Sequence, residues 1–442
     1  MALCRTLLVC LALFAAIIVV INSHSDVHEH TTWKLLSKLA WKNATVRPPL
    51  LIIAMVAGWG WVVSVCEKAG LDLERVLSGQ PQAPRDTYHA ALVLLAVLLS
   101  MRLMHLVASE QAGVVWRPWL TSNVLLHVVF LVLTVLPCNV FFANSRFSLL
   151  RVLWESFIAP FAPVTFWHVI VADYMTSLAK AFSDLQLTAC VSYHIFNDRP
   201  EAGYVRSTEL WHESYMTCAD TTWNALFLAL PFWWRLMQCL KVYSVTGEIK
   251  NLCNAAKYST AFPLVYAGYL RRHSPSPFYD HLFILAAITQ STFCLIWDVH
   301  MDWGLFRPQG NGFACCGAKP VNLFRLRDPL LITQNRAVYI GICVFDLALR
   351  FIWALSIFGG VPGRGLGMFF FEIVELLRRT VWAIFRIEWE VGPRPPPPSS
   401  TPRLLNPPAH ASNYSATIAP PRWFLCSSRL SRCTPSGGHR WL

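Results

Sequence analysis

The chain has 442 residues, 55% of them hydrophobic and only 14% charged, with a formal net charge of +12. This balance excludes a disordered chain and argues against an ordinary water-soluble domain. Half of the positive excess sits in residues 391–442, which hold Arg394, Arg403, Arg422, Arg429, Arg432 and Arg440 and no acid. No recognition module accompanies it, so nucleic acid is not an expected partner.

Apolar runs long enough to cross a bilayer recur along most of the length. In chain order they cover 5–22, 49–66, 88–108, 120–141, 163–187, 220–240, 256–270, 281–298, 334–358 and 367–387. The 256–270 run is short and 163–187 is interrupted by polar residues. The expected fold is therefore an all-α integral membrane protein, a polytopic bundle of eight to ten transmembrane helices with a disordered C-terminal tail. Only helices and closed barrels satisfy the backbone in lipid, and these runs are too long for barrel strands.

Residues 1–22 read equally as a signal peptide or a helical anchor, because Arg5 precedes the apolar run and no clean small-residue cleavage site follows. As an anchor with a cytosolic N-terminus, this run places 23–48 in a lumen and makes Asn43-Ala44-Thr45 a glycosylation acceptor. The division that follows is 1–48 (first anchor and luminal loop), 49–224 (N-terminal transmembrane helices), 225–390 (a C-terminal core) and 391–442 (basic tail). The tail is Pro-rich and lacks apolar periodicity, and its charge favours the cytosolic side, where lipid is within its reach.

Several apolar segments carry charge. In 163–187, Asp173, Thr176, Ser177, Lys180 and Asp184 fall on one stripe, which suits a helix lining a water-filled interior; a helix lying at the membrane interface is the competing reading. In 231–260, Arg235 shares a face with Gln238, and Asn254 shares one with Lys257, with Tyr258 beside them. Arg235 and Lys241 can instead snorkel to lipid headgroups.

Asp298 and Asp302 stand one helical turn apart in 292–306. Asp346 and Arg350 form an i,i+4 pair, as do Glu375 and Arg379, and Glu372, Arg378 and Arg386 lie in the same last run as the second pair. A charge at bilayer depth costs at least ~2.5–3.5 kcal/mol, so such groups face a protein interior or a polar pathway. Mutual neutralisation explains only part of this pattern. Arg378 and Arg379 are adjacent, point in different directions, and cannot both be served by one carboxylate. Arginine forks match the oxygens of an anion, which points to an anion conduit that Trp353, one turn beyond Arg350, would narrow.

Other signals carry less. The glycine-rich run Gly359–Gly367 follows no strand and reads as a turn between helices rather than a phosphate loop. His24, His28 and His30 fit a solvated loop, and His300 points off the face shared by Asp298 and Asp302, so neither a metal nor another cofactor is expected. The fourteen cysteines show no CxxC pairing. Cys190 and Cys218 flank the polar loop 191–217 and can pair if that loop is luminal.

Taken in order, Arg235-Leu-Met-Gln-Cys-Leu, Asn254-Ala-Ala-Lys-Tyr-Ser, Trp297-Asp-Val-His-Met-Asp-Trp-Gly-Leu-Phe, Arg350-Phe-Ile-Trp and Glu375-Leu-Leu-Arg-Arg-Thr-Val-Trp resemble the EXS family, the membrane domain of the phosphate exporters related to the xenotropic and polytropic retrovirus receptor. The closing Arg386-Ile-Glu388-Trp-Glu390 is similar to the family's end. The strong match covers about 225–390, the EXS core, and a weaker one reaches back through Ala172-Asp-Tyr-Met-Thr-Ser to Leu50.

The resemblance implies a helical transporter of inorganic phosphate. It places Asp173, Thr176, Lys257, Tyr258, Asp298, Asp302, Arg350, Glu375, Arg378 and Arg379 around the anion, makes Trp353 a gate, and implies a disulfide between Cys190 and Cys218. Thr176 departs from the asparagine of animal members, keeping a hydroxyl but losing an amide donor. The SPX sensor of the long exporters is expected to be absent. The chain is then similar to the short yeast Golgi form linked to retention of endoplasmic-reticulum residents.

The expected function is a Golgi phosphate transporter with lumen-to-cytosol flux, not an enzyme. Membrane lipids and a second copy in a homodimer complete its expected partners. The alternative is a Golgi sorting or retention factor that transports nothing. A membrane enzyme ranks last, because no nucleophile or metal cluster lies near an aqueous face.

Overall fold

A computed structural model of the protein describes residues 46–77, 83–110, 123–135, 143–197, 214–306, 326–357 and 366–392. The 5–22 anchor, Asn43, His24, His28, His30, Cys315, Cys316, residues 358–365 of the glycine-rich run and the basic tail beyond 392 lie outside the described residues. Every regular element among the described residues is helical.

In chain order these are α1 (Arg47–Lys68), α2 (Leu73–Val76), α3 (Pro84–Glu110), α4 (Asn123–Val135), α5 (Ala143–Phe157), α6 (Phe166–Ser177) and α7 (Ala179–Asn197). There follow α8 (Thr222–Thr246), α9 (Ile249–Ser259), α10 (Ala261–His273), α11 (Pro277–Trp297), a π-helical turn (Asp298–Asp302), α12 (Arg336–Arg350), α13 (Ala354–Ile357) and α14 (Leu366–Val391). Among the described residues, the runs Arg47–Lys68, Pro277–Asp302 and Arg336–Ile357 are long and apolar enough by themselves to cross a bilayer. Helix α5 had no counterpart among the runs read from the sequence.

Local chemistry sets the ends. Proline occupies the first turns of α1 and α11, where no backbone donor is needed, and Ser276 caps α11 by accepting from Phe278 N. Asn335 caps α12 by accepting from Ala337 N at 3.0 Å. Gly247 closes α8 in the left-handed conformation (φ 67°).

Three runs read as single spans are broken. The 163–187 run parts at Leu178, whose N–H is shared between the carbonyls of Tyr174 and Met175, both at 3.1 Å. The 256–270 run parts at Thr260, whose hydroxyl folds back onto the Lys257 carbonyl at 2.6 Å. The 334–358 run parts after Arg350 in a turn that carries Trp353.

Helix α14 is central, packing against α1, α6, α12 and the π-helical turn. Gly58 permits its approach to α1: a β-carbon there would lie 2.6 Å from Thr380 Oγ1. The largest apolar cluster joins Val62, Ile170, Tyr174, Trp303, Tyr339, Trp382 and Phe385 around this helix. The charges of α14 thus face other helices.

Candidate functional site

Asp298 begins the π-helical turn, in which Trp303 N bonds to Asp298 O at 2.8 Å across five residues. Such turns recur at functional sites because they redirect side chains within a helix. Asp298 and Asp302 consequently find different partners, although the sequence places them on one face. The Asp298 carboxylate meets Arg350 and, at 3.5 Å, Arg378. Asp302 instead accepts from Trp382 Nε1 at 3.2 Å and lies 3.6 Å from Arg386.

Arg350 also donates to Asp346 Oδ2 at 3.0 Å, and Arg378 approaches the other oxygen of Asp346 at 3.1 Å. Asp346 therefore bridges two arginines, a role beyond the single pair read from the sequence. Arg378 grips Glu375 with two parallel bonds of 2.7 and 2.8 Å. This corrects the expected Glu375–Arg379 pair, because the fork of Arg378 closes on both oxygens from three residues away.

Arg379 turns the other way. Its Nε donates to Ser177 Oγ at 2.9 Å, its Nη2 lies 3.4 Å from Thr176 Oγ1, and its guanidinium stacks over Trp382 at 4.6 Å. Ser177 Oγ donates in turn to Glu375 Oε1 at 2.7 Å. The end of α6 thereby joins the two halves of the cluster.

Asp173, one turn earlier on α6, accepts from Arg235 Nε at 2.9 Å and from the Tyr258 hydroxyl. Arg235 is buried, so the headgroup reading for it is withdrawn. Its guanidinium is fixed by Gln238 at 3.1 Å, and Gln238 by Ser156 of α5 at 3.2 Å. Lys257 is only 4% exposed, and its ammonium rests 4.3 Å from the Tyr258 ring centre and 5.2 Å from that of Trp297.

All ten residues expected around the anion thus lie in one buried network or on its edge. Arg235, Lys257, Arg350, Arg378 and Arg379 stand among Asp173, Asp298, Asp302, Asp346 and Glu375, five of each sign. The pairing is uneven. Among the described residues, Lys257 and Arg379 have no carboxylate within 4.0 Å, whereas Arg235, Arg350 and Arg378 each do. Their donors are therefore not closed on a carboxylate, although both lie in the field of the carboxylates around them.

Trp353 donates to Ser291 Oγ at 3.1 Å, and Ser291 donates to the Arg350 carbonyl at 3.1 Å. The indole is thereby tied to the turn that follows Arg350. The single polar stripe expected over 163–187 is corrected: after the break at Leu178, Lys180 and Asp184 pair away from this network, with Arg47 of α1. Reading the sequence missed Arg47, Ser156 and Ser291, since a lone polar residue in an apolar helix has no periodic signal. Cys190 and Cys218 are bonded with Cα atoms 5.9 Å apart, and Cys190 lies within α7 rather than at its edge.

The chain matches the EXS family over residues 44–392. The chain belongs to the EXS family. It is an all-helical membrane protein, as the sequence led us to expect. It is similar to a xenotropic and polytropic retrovirus receptor 1 homolog of Xenopus laevis, 33% identical over 284 residues, which are 61% of this chain and 38% of that one. It is also similar to the solute carrier family 53 member 1 of Homo sapiens, 33% identical over 269 residues, 58% of this chain and 36% of the relative. A Danio rerio homolog of the receptor is 30% identical over 283 residues, covering 60% and 38% of the two chains. The match spans little more than a third of the length of these relatives.

Proposed function

We propose that this EXS protein transports inorganic phosphate across the Golgi membrane, from lumen to cytosol, and thereby supports glycosylation and retention of resident proteins. The observation that carries the transport reading is the pair of buried cations, Lys257 and Arg379, with no carboxylate within 4.0 Å among the described residues, beside three arginines that have one. The solute-carrier name of a relative agrees with it. The Golgi assignment rests on the resemblance to the short yeast form alone, and imaging of the tagged protein against Golgi markers tests it.

Phosphate loses hydration on entering the bundle. Lys257 offers three donors and Arg379 a fork to replace it, while the hydroxyls of Thr176, Ser177 and Tyr258 already donate to the Asp173 carbonyl, to Glu375 and to the Asp173 carboxylate. Asp173, Asp298, Asp346 and Glu375 hold the other arginines. The empty site is then less positive than its arginine count suggests, and the ion can leave again. Trp353 serves as the gate, held by Ser291 when closed.

The test is radiolabelled phosphate flux in proteoliposomes holding the purified protein, beside Arg350→Ala and Lys257→Ala. Flux from the parent that is lost in both correctly folded variants is the expected result. No flux from folded parent protein, in either gradient direction and at several pH values, would favour the retention-factor reading instead.

A further inference from the structure

A second set of charges lies outside the anion network, where α1, α7 and α14 meet. Asp184 is fully buried and bonds to Arg47 Nη2 at 2.7 Å and to the Lys180 ammonium. Two cations thus share one carboxylate. A further acid is Glu372 of α14, only 6% exposed, and among the described residues neither of its side-chain oxygens has a hydrogen-bond partner.

Its surroundings are mostly apolar. Phe369, Ile373 and Leu376 flank it on α14, and Leu51, Leu178, Ala181 and Phe182 belong to the same cluster. The charged groups near enough to act on it electrostatically are Arg47 from α1 and Asp184 and Lys180 from α7. Glu375, one turn further on, is turned away towards Ser177 and Arg378.

Two features favour opposite forms of this acid. A buried carboxylate without a hydrogen-bond donor loses hydration that nothing replaces, which favours the neutral acid. The excess of Arg47 and Lys180 over Asp184 favours the anion, because ionised Glu372 brings the four groups to neutrality. We propose that Glu372, buried with no hydrogen-bond donor among the described residues, is a proton-binding site separate from the anion network. The cluster then alternates between net charge 0 and +1 on the helix that also carries Glu375 and Arg378. This inference goes beyond the transport reading and does not depend on it.

The test is infrared difference spectroscopy of the purified full chain between neutral and alkaline pH, beside Glu372→Gln, which keeps the shape of the neutral acid. The expected result is a protonated-carboxyl stretch in the parent at neutral pH that disappears on alkalinisation and is missing from Glu372→Gln. The same band at the same strength in both proteins, or no such band in the parent, overturns the proposal. If Glu372→Gln does not elute as a folded species, Glu372→Asp carries the test. That variant must shift the band in frequency, and an unshifted band overturns the proposal equally.

Discussion

Arg378 and Arg379 are neighbours in sequence yet stand on opposite sides of Glu375 and Ser177. Arg378 takes both oxygens of Glu375 at 2.7 and 2.8 Å, while Arg379 rests on Ser177 Oγ at 2.9 Å and on the Trp382 ring. Successive side chains on a helix diverge by about 100°, so Arg378 closes on Glu375 while Arg379 is left for the proposed anion. Arg378→Ala leaves Asp346 and Glu375 short of a buried partner, a change that costs ~3–5 kcal/mol. Arg379→Ala removes no ion pair. We expect Arg378→Ala to lower the unfolding temperature sharply, and Arg379→Ala to fold nearly normally but lose phosphate flux. Thermal unfolding followed by size-exclusion chromatography, with flux on the same samples, separates the two. Normal flux in folded Arg379→Ala would remove it from the site.

Lys257 likewise has no carboxylate within 4.0 Å among the described residues and is held over Tyr258 and Trp297. A ligand that binds only the folded state stabilises it by about 2.7 kcal/mol at 100 times its dissociation constant. Phosphate is therefore expected to raise the unfolding temperature of the parent protein, and this rise should vanish in Lys257→Gln. Sulfate, a dianion of similar shape, supplies the selectivity control. An equal phosphate shift in parent and variant would take Lys257 out of the site.

Gly304 follows the π-helical turn at φ 59°, and a β-carbon there would lie 2.8 Å from the Trp389 ring. Two costs coincide: a left-handed backbone for a residue with a side chain, of order 1–3 kcal/mol, and displacement of a ring at the end of α14. Gly304→Ala is expected to destabilise the protein by at least about 2 kcal/mol. Thermal unfolding checks this, and an unchanged midpoint would show that the turn relaxes freely.

Glu388 is fully buried and accepts from Leu331 N, Ile332 N and the Tyr339 hydroxyl at 2.6, 3.0 and 2.6 Å, while Arg327 lies 2.7 Å from its other oxygen. It ties the end of α14 to the segment that leads into α12. Glu388→Gln keeps the shape but presents donors to other donors and leaves Arg327 without its carboxylate. A loss of ~3 kcal/mol is expected, read as a lower unfolding temperature, with protease cutting near 326–335 before the rest of the chain.

Much of this protein is legible in its composition. Apolar runs of bilayer length and charges that lipid would not tolerate together require a helical bundle with a polar interior, because both follow from the cost of exposing charge or backbone to hydrocarbon. The i,i+4 pair Asp346–Arg350 was equally visible, since helix geometry alone puts the two together. Periodicity could not show where helices break. The turns at Leu178, Thr260 and Phe351–Trp353 carry no proline or glycine, so no residue at the break itself marks it. Nor could it show that Glu375 prefers Arg378, that Asp302 parts from Asp298 across a π-helical turn, or that Arg47 reaches Asp184. Those outcomes depend on which helices pack against each other, and a buried charge takes the partner that packing brings within reach. That these charges are enclosed follows from the cost of exposing them to lipid; which of them pair follows from packing, which among the described residues brings no carboxylate within 4.0 Å of Lys257 or Arg379.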